Sequence, residues 1–179
     1  MKIKLVRRFA ASVVVGVAFA ALAAGGASAF QTLAVSVPDT QLPLDRVGQV
    51  RDQGGKLEIR DRQYEGEFGA FPVNINGTEY LADEIKVIFD LKLQNGTGEQ
   101  RGTIDIDIDR APGGHITLEY KGTATMAGSS ITSSGEFKVA GATDVFAGTR
   151  VSGSYEMTIA ESGSTQGSPA NVTISLSGA

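Results

Sequence analysis

Strict two-residue alternation of apolar and polar side chains runs through most of this chain and restricts its fold more than any single motif. Ile85, Val87, Phe89, Leu91 and Leu93 alternate with Lys86, Asp90, Lys92 and Gln94. Ile104, Ile106 and Ile108 alternate with Asp105, Asp107 and Asp109, and Ile116, Leu118 and Tyr120 with Thr117, Glu119 and Lys121. Val151, Tyr155, Met157 and Ile159, and then Val172, Ile174 and Leu176, repeat the pattern near the C-terminus. Successive side chains on a strand point to opposite faces, so each segment is a strand with one apolar face. Asn76-Gly77, Asn95-Gly96 and Pro112-Gly113-Gly114 punctuate the strands as hairpin turns. No segment after the leader carries a helix of ordinary length; Tyr80 to Glu84 is the one place for a short turn.

Antiparallel strands with one apolar face must stack as two sheets or close on themselves, and closure removes exposed edges. The expected fold is all-β, an eight-stranded antiparallel up-and-down β-barrel over 46–179. Its first strand is expected around Arg46 to Arg51. Residues 30–45, where Pro38 and Pro43 break the pattern, read as an extended arm. An eight-stranded interior is wide enough to be packed by side chains or to hold one small ligand.

Residues 1–29 read as a cleavable signal peptide, which makes the protein exported, periplasmic or secreted. Lys2, Lys4, Arg7 and Arg8 precede an Ala/Val-rich run, and Ala27-Ser28-Ala29 fits the small-x-small cleavage rule. The run is short for a hydrocarbon core of about 30 Å, so no stable membrane insertion is expected after cleavage. Removing the four leader cations leaves 16 − 4 = 12 basic residues against 20 acidic ones, a formal charge near −8. Such a surface repels phosphate backbones, and no nucleic acid is expected as a partner. The chain has no cysteine, which excludes disulfides, thiolate catalysis and Cys-based metal sites.

Alternation alone does not say which face points inward. A small outer-membrane β-barrel, with its apolar residues toward lipid, is the alternative architecture. Against it, aromatic residues do not cluster at strand ends, and the chain ends in Ser177-Gly178-Ala179 rather than an amphipathic strand with a terminal aromatic.

Between two alternating segments lies Gly141-Ala142-Thr143-Asp144-Val145-Phe146-Ala147-Gly148, neither strand-like nor merely polar. Its glycines suit positive φ, and Phe146 is the large apolar residue available to anchor the run onto a barrel. Phe137-x-Val139-x-Gly141-Ala142-Thr143-x-x-Phe146-x-Gly148, followed by Gly153, resembles the strand-corner-strand signature of the allene oxide cyclase and dirigent barrel superfamily. There the corner reads Gly-Gly-Thr-Gly-x-Phe; here Ala142 and Asp144 stand where glycines are usual. The resemblance covers Gly135 to Tyr155. It implies an eight-stranded barrel, commonly trimeric, whose lumen holds a hydrophobic small molecule. Plant members cyclise a fatty-acid epoxide or steer phenoxy-radical coupling. It therefore implies either a cyclase or isomerase that folds its substrate in a dry lumen or a non-catalytic dirigent-type or carrier protein.

The apolar faces nominate Phe89, Leu91, Ile106, Leu118, Tyr120, Phe137, Val151, Tyr155 and Met157 as ligand-lining residues. Tyr120 and Tyr155 are the polar tips among them, with Ser133 and Thr149 as neighbours, and the phenols can donate to a carbonyl or epoxide oxygen. Glu65 and Glu67 are the candidate acids: without a bulge, one would face inward, where desolvation raises a carboxyl's pKa. A bulge at Gly66 or Gly69 would instead turn both to water. Asp105, Asp107 and Asp109 do not fit a calcium loop, which needs Gly and Glu where Arg110 and Ile116 stand, and read as a solvated face. His115, the single histidine, reads as a turn residue. No motif for a metal or cofactor is present, and none is expected. A barrel packed shut, acting through its acidic outer surface, is the remaining alternative.

Overall fold

The computed structural model describes residues 31–108 and 113–179, with Phe68 and Gly69 described by backbone alone. The leader expected over 1–29 lies outside the described residues, as does Asp109. The strands are β1 (Leu33–Arg46), β2 (Gln49–Gln53), β3 (Lys56–Ile75), β4 (Thr78–Gln94), β5 (Thr97–Ile108), β6 (Gly114–Ala127), β7 (Ser130–Ala142), β8 (Ser152–Glu161) and β9 (Pro169–Gly178). Each pairs antiparallel with the next from β2 to β9, and β1 pairs with both β9 and β3. Eight strands therefore close into a barrel. The short β2 lies outside the ring, paired with the first residues of β3.

The alternation is realised as expected, with the apolar faces inward. Val87, Leu91, Ile104, Ile106, Leu118, Ile159 and Val172 are all fully buried. Outer positions carry Lys86, Asp90, Lys92, Arg101, Glu119, Lys121 and Lys138, which is no lipid-facing apolar band. Among the described residues no helix is long and apolar enough to cross a membrane. Tyr80 to Glu84 is not a turn but part of β4. The Asn76-Gly77 and Asn95-Gly96 turns take positive φ at both residues, as a two-residue hairpin requires.

The largest departure from expectation is at the N-terminal side. Residues 33–46, expected as an arm, are barrel strand β1, which joins the two ends of the sheet. Between Val37 and Thr40 three steps of β1 face two on β9, from Ile174 to Val172. This bulge switches the inward positions from Leu33, Val35 and Val37 to Leu42 and Leu44. Strand β3 does the same twice. Three steps from Ile59 to Arg62 face two on β4, and four steps from Glu67 to Phe71 face two. Asp61, at φ 56, takes the left-handed conformation in the first of these bulges. Ile59 thus points inward, then Arg62 and Tyr64, then Phe71, Val73 and Ile75.

The two ends of the barrel close differently. At one end the glycine-rich run folds as a 3-10 turn over Asp144–Phe146. Asp144 supplies the left-handed backbone at φ 49, while Ala142 lies in β7 outside the positive-φ positions, so the alanine substitution in the corner signature carries no strain. Phe146 is fully buried and meets the Tyr80 ring edge-on, centroids 5.9 Å apart. The turn docks on β6 through backbone bonds between Thr143 and His115 and between Val145 and Gly113. Gly114 makes that contact close: a Cβ there would lie 2.8 Å from Val145 Cγ2 and 3.0 Å from the Phe146 ring. At the other end lie the β1–β2 connection and the β8–β9 loop, the loop tied to β1 by backbone bonds from the Leu44 amide to Ser168 and from the Gly167 amide to Leu44.

Candidate functional site

All nine nominated lining residues are buried: Phe89, Leu91, Ile106, Leu118, Tyr120, Phe137, Val151, Tyr155 and Met157. The aromatic ones stand opposite glycines across the strands. Gly102 pairs with both Phe89 and Tyr120, Gly153 with Phe137, and Gly135 with Tyr155. The Tyr155 hydroxyl lies over Gly122, where a Cβ would come within 2.7 Å of it and 2.0 Å of the Ser134 carbonyl oxygen. Only glycine at that position lets the ring reach across the sheet.

Those rings bring a polar group to the middle of an apolar interior. Tyr120 and Tyr155 meet edge-to-face with centroids 4.9 Å apart. The Gln100 amide donates to the Tyr120 hydroxyl at 3.3 Å. Gln100, Tyr120, Ser133 and Tyr155 are each at most 3% exposed. Gln100 Oε1 has no hydrogen-bond partner, and Ser133 Oγ and the Tyr155 hydroxyl have none beyond each other. An unmet buried polar group costs about 1–3 kcal/mol, so this cluster is a costly place in an otherwise apolar interior. Burial raises the pKa of Tyr120 well above the usual tyrosine value, with the Tyr155 ring adding to the effect. Burial raises Tyr155 too, partly offset by the neighbouring Ser133 hydroxyl. Both phenols therefore stay protonated at neutral pH, the Tyr120 hydroxyl accepting from Gln100. Thr149, the other expected neighbour, is buried beside Phe146, its amide bonded to that residue's carbonyl.

Glu65 and Glu67 are not lumen acids. The paired bulges of β3 turn both outward: Glu67 is exposed, and Glu65 is held by Lys86 at 3.1 Å and by the Gln63 amide at 2.6 Å. The carboxylate that does point inward is Glu161, one step beyond Ile159 on the apolar face of β8. The same bulges bring in Arg62, 3% exposed. Arg62 Nη1 donates to Glu161 Oε1 at 2.6 Å, and the Tyr64 hydroxyl donates to the same oxygen at 2.5 Å. Arg62 Nε also donates to the Val47 carbonyl at 3.0 Å. Burial, then the Glu161 carboxylate, pushes the Tyr64 pKa far up. Both Arg62 and Glu161 escaped sequence reasoning, although Glu161 was readable as the next inward position of an apolar strand, and Gln100 likewise on β5.

On the outer face the aspartates do more than meet solvent. His115 Nδ1 lies 2.7 Å from Asp107 Oδ1 and its Nε2 2.9 Å from Thr117 Oγ1, which itself donates to Asp105 at 2.7 Å. His115 thus bridges β5 and β6 rather than merely turning the chain. Among the described residues no three His, Asp or Glu side chains are arranged to hold a metal ion. A concavity of about 1040 Å3 also runs along the outer face, past Ile88, Thr103 and Ser152. Its charged walls are already paired, Arg101 with Asp90 at 3.2 Å and Lys138 with Glu119 at 2.8 Å.

No family model, curated protein or solved structure matches this chain.

Proposed function

We propose that this chain is an exported barrel that holds a largely apolar small molecule in its lumen, with an oxygen-bearing group of that molecule at Gln100, Ser133 and Tyr155. The observation that carries this reading is the trio of polar atoms buried among apolar side chains with no partner outside the trio itself. Tyr155 and Ser133 offer donors and Gln100 Oε1 an acceptor, so an uncharged group with both capacities completes the set. No cation lies in this cluster to balance a carboxylate. The resemblance of Gly135 to Tyr155 to the allene oxide cyclase and dirigent corner supports the same class of ligand.

Binding and orienting are what such donors do best, which favours a dirigent-type or carrier role. Ring closure or isomerisation is the second reading, favoured by the Tyr155 donor: a hydroxyl aimed at a carbonyl or epoxide oxygen in a dry site stabilises the charge that develops there. Native mass spectrometry of residues 30–179, purified without detergent, tests the reading and reports the oligomeric state implied by the resemblance. The expected result is a retained apolar mass, lost in Ser133→Ala/Tyr155→Phe. Failure to retain or take up any apolar molecule overturns it.

A further inference from the structure

The Arg62–Glu161 pair has an odd position for a structural ion pair. Its residues come from β3 and β8, which are not neighbours in the sheet, since β1 and β9 stand between them. Both side chains point inward, so the bond crosses the interior near one mouth of the barrel. Only 4% of the Arg62 side chain and 11% of the Glu161 side chain reach solvent. Desolvating two charges costs about as much as their attraction returns, and well-packed apolar residues do as well or better. Stability alone therefore does not account for this pair at a mouth that the other end of the same barrel closes with a phenylalanine.

What the pair does is tie together two connections that meet at this mouth. Through Nε, Arg62 holds the Val47 carbonyl in the β1–β2 connection. Through Glu161 it holds the start of the β8–β9 loop, of which Ser162 and Ser164 to Gly167 are exposed. Gln63 adds a bond to Asp45 at 2.9 Å. Water can replace each of these polar bonds one at a time. An apolar plug such as Phe146 can leave its site only by exposing its whole ring.

We propose that Arg62, Tyr64 and Glu161 form the gate through which the lumen is loaded, with the β1–β2 connection and the β8–β9 loop as its moving parts. The Phe146 end stays shut. The direction of traffic rests on the lumen-binding reading; the opening itself does not, and the two are tested separately. Hydrogen exchange on the full chain compares wild type with Glu161→Gln and with the milder Tyr64→Phe. The gate requires exchange at 46–48 and 161–169 to rise at least tenfold in Glu161→Gln, with a smaller rise in Tyr64→Phe and with β5, β6 and β7 unchanged. A rise spread evenly over the barrel, confined to the Phe146 end, or missing in both variants overturns the gate.

The second arm uses N-phenyl-1-naphthylamine, an uncharged apolar probe. Association and dissociation are expected to accelerate together in Glu161→Gln at unchanged Kd. A Kd changed through dissociation alone, with association at its wild-type rate, would place the pair in the binding site and overturn its role as a gate. A probe that never enters the wild-type barrel speaks against lumen binding, while the exchange pattern still decides whether the mouth opens.

Discussion

The two mouths of this barrel solve one problem with opposite chemistry. At the Phe146 mouth, a ring sits against Tyr80 and a glycine that leaves no room between them. Its hold is non-directional and scales with area removed from water. At the Arg62 mouth, two donor side chains, Arg62 and Tyr64, converge on one Glu161 carboxylate oxygen, a strong but directional arrangement. The first can only be intact or lost. The second can exchange its partners for water, which is why the apolar end reads as a foundation and the polar end as the place where the molecule opens.

Substitutions can break this comparison. Phe146→Ala is expected to destabilise the barrel by about 3–5 kcal/mol, the range for removing a buried ring. Chemical denaturation checks it, and the loss should be insensitive to salt. Arg62→Met leaves Glu161 buried without its partner, and a cost of about 3 kcal/mol follows. The double variant Arg62→Met/Glu161→Met should recover most of that loss. A double variant as unstable as the single one would mean that the polar mouth is structural after all.

Alkaline pH sharpens the contrast between native and unfolded tyrosines. Tyr64, Tyr120 and Tyr155 all titrate above the usual value of 10.0 when folded. Their stabilising contribution is complete below pH 10 and is lost as pH rises above it, because the unfolded state releases protons that the native state retains. Tm should therefore fall above pH 10, and the fall should be shallower in Tyr120→Phe. Absorbance at 295 nm, reporting tyrosinate, should rise for these residues only with unfolding. The smallest effect is expected in the lumen. Ser133→Ala removes a buried hydroxyl whose one neighbour is the Tyr155 hydroxyl, so stability should hold or rise by about 1 kcal/mol while retention of the proposed apolar molecule drops.

Much of this architecture was legible in the sequence, because a period of two says strand wherever it persists. The inward faces of β4 to β9 and the Asn-Gly turns follow from it directly. The misplaced elements share one cause. Strands β1 and β3 change parity at bulges, of which the sequence marks only the one near Gly69. Leu42 and Leu44 are out of step with Leu33 and Val35, and with Pro38 and Pro43 breaking the pattern between and beside them β1 read as an arm. Arg62 is brought inward by the bulge after Ile59, so a strict period of two counted on from Ile59 does not reach it. The tyrosine pair was visible as polar tips on apolar strands. Its meeting with Gln100 and Ser133 depends on register among four strands, which single-strand patterns do not contain.

Strand β1 has one more consequence. It pairs with β9, so that Leu33 lies opposite Gly178, and the ring is completed by residues from nearly opposite ends of the chain. Contacts of such sequence separation form late, since the entropy of bringing distant segments together must be met before they contribute. Until β9 has emerged, β3 to β8 can assemble only as an open, curling sheet with two unpaired margins. A newly made chain is therefore most exposed to self-association just before its final strand arrives, and the time spent in that state is set by the slowest step of ring completion.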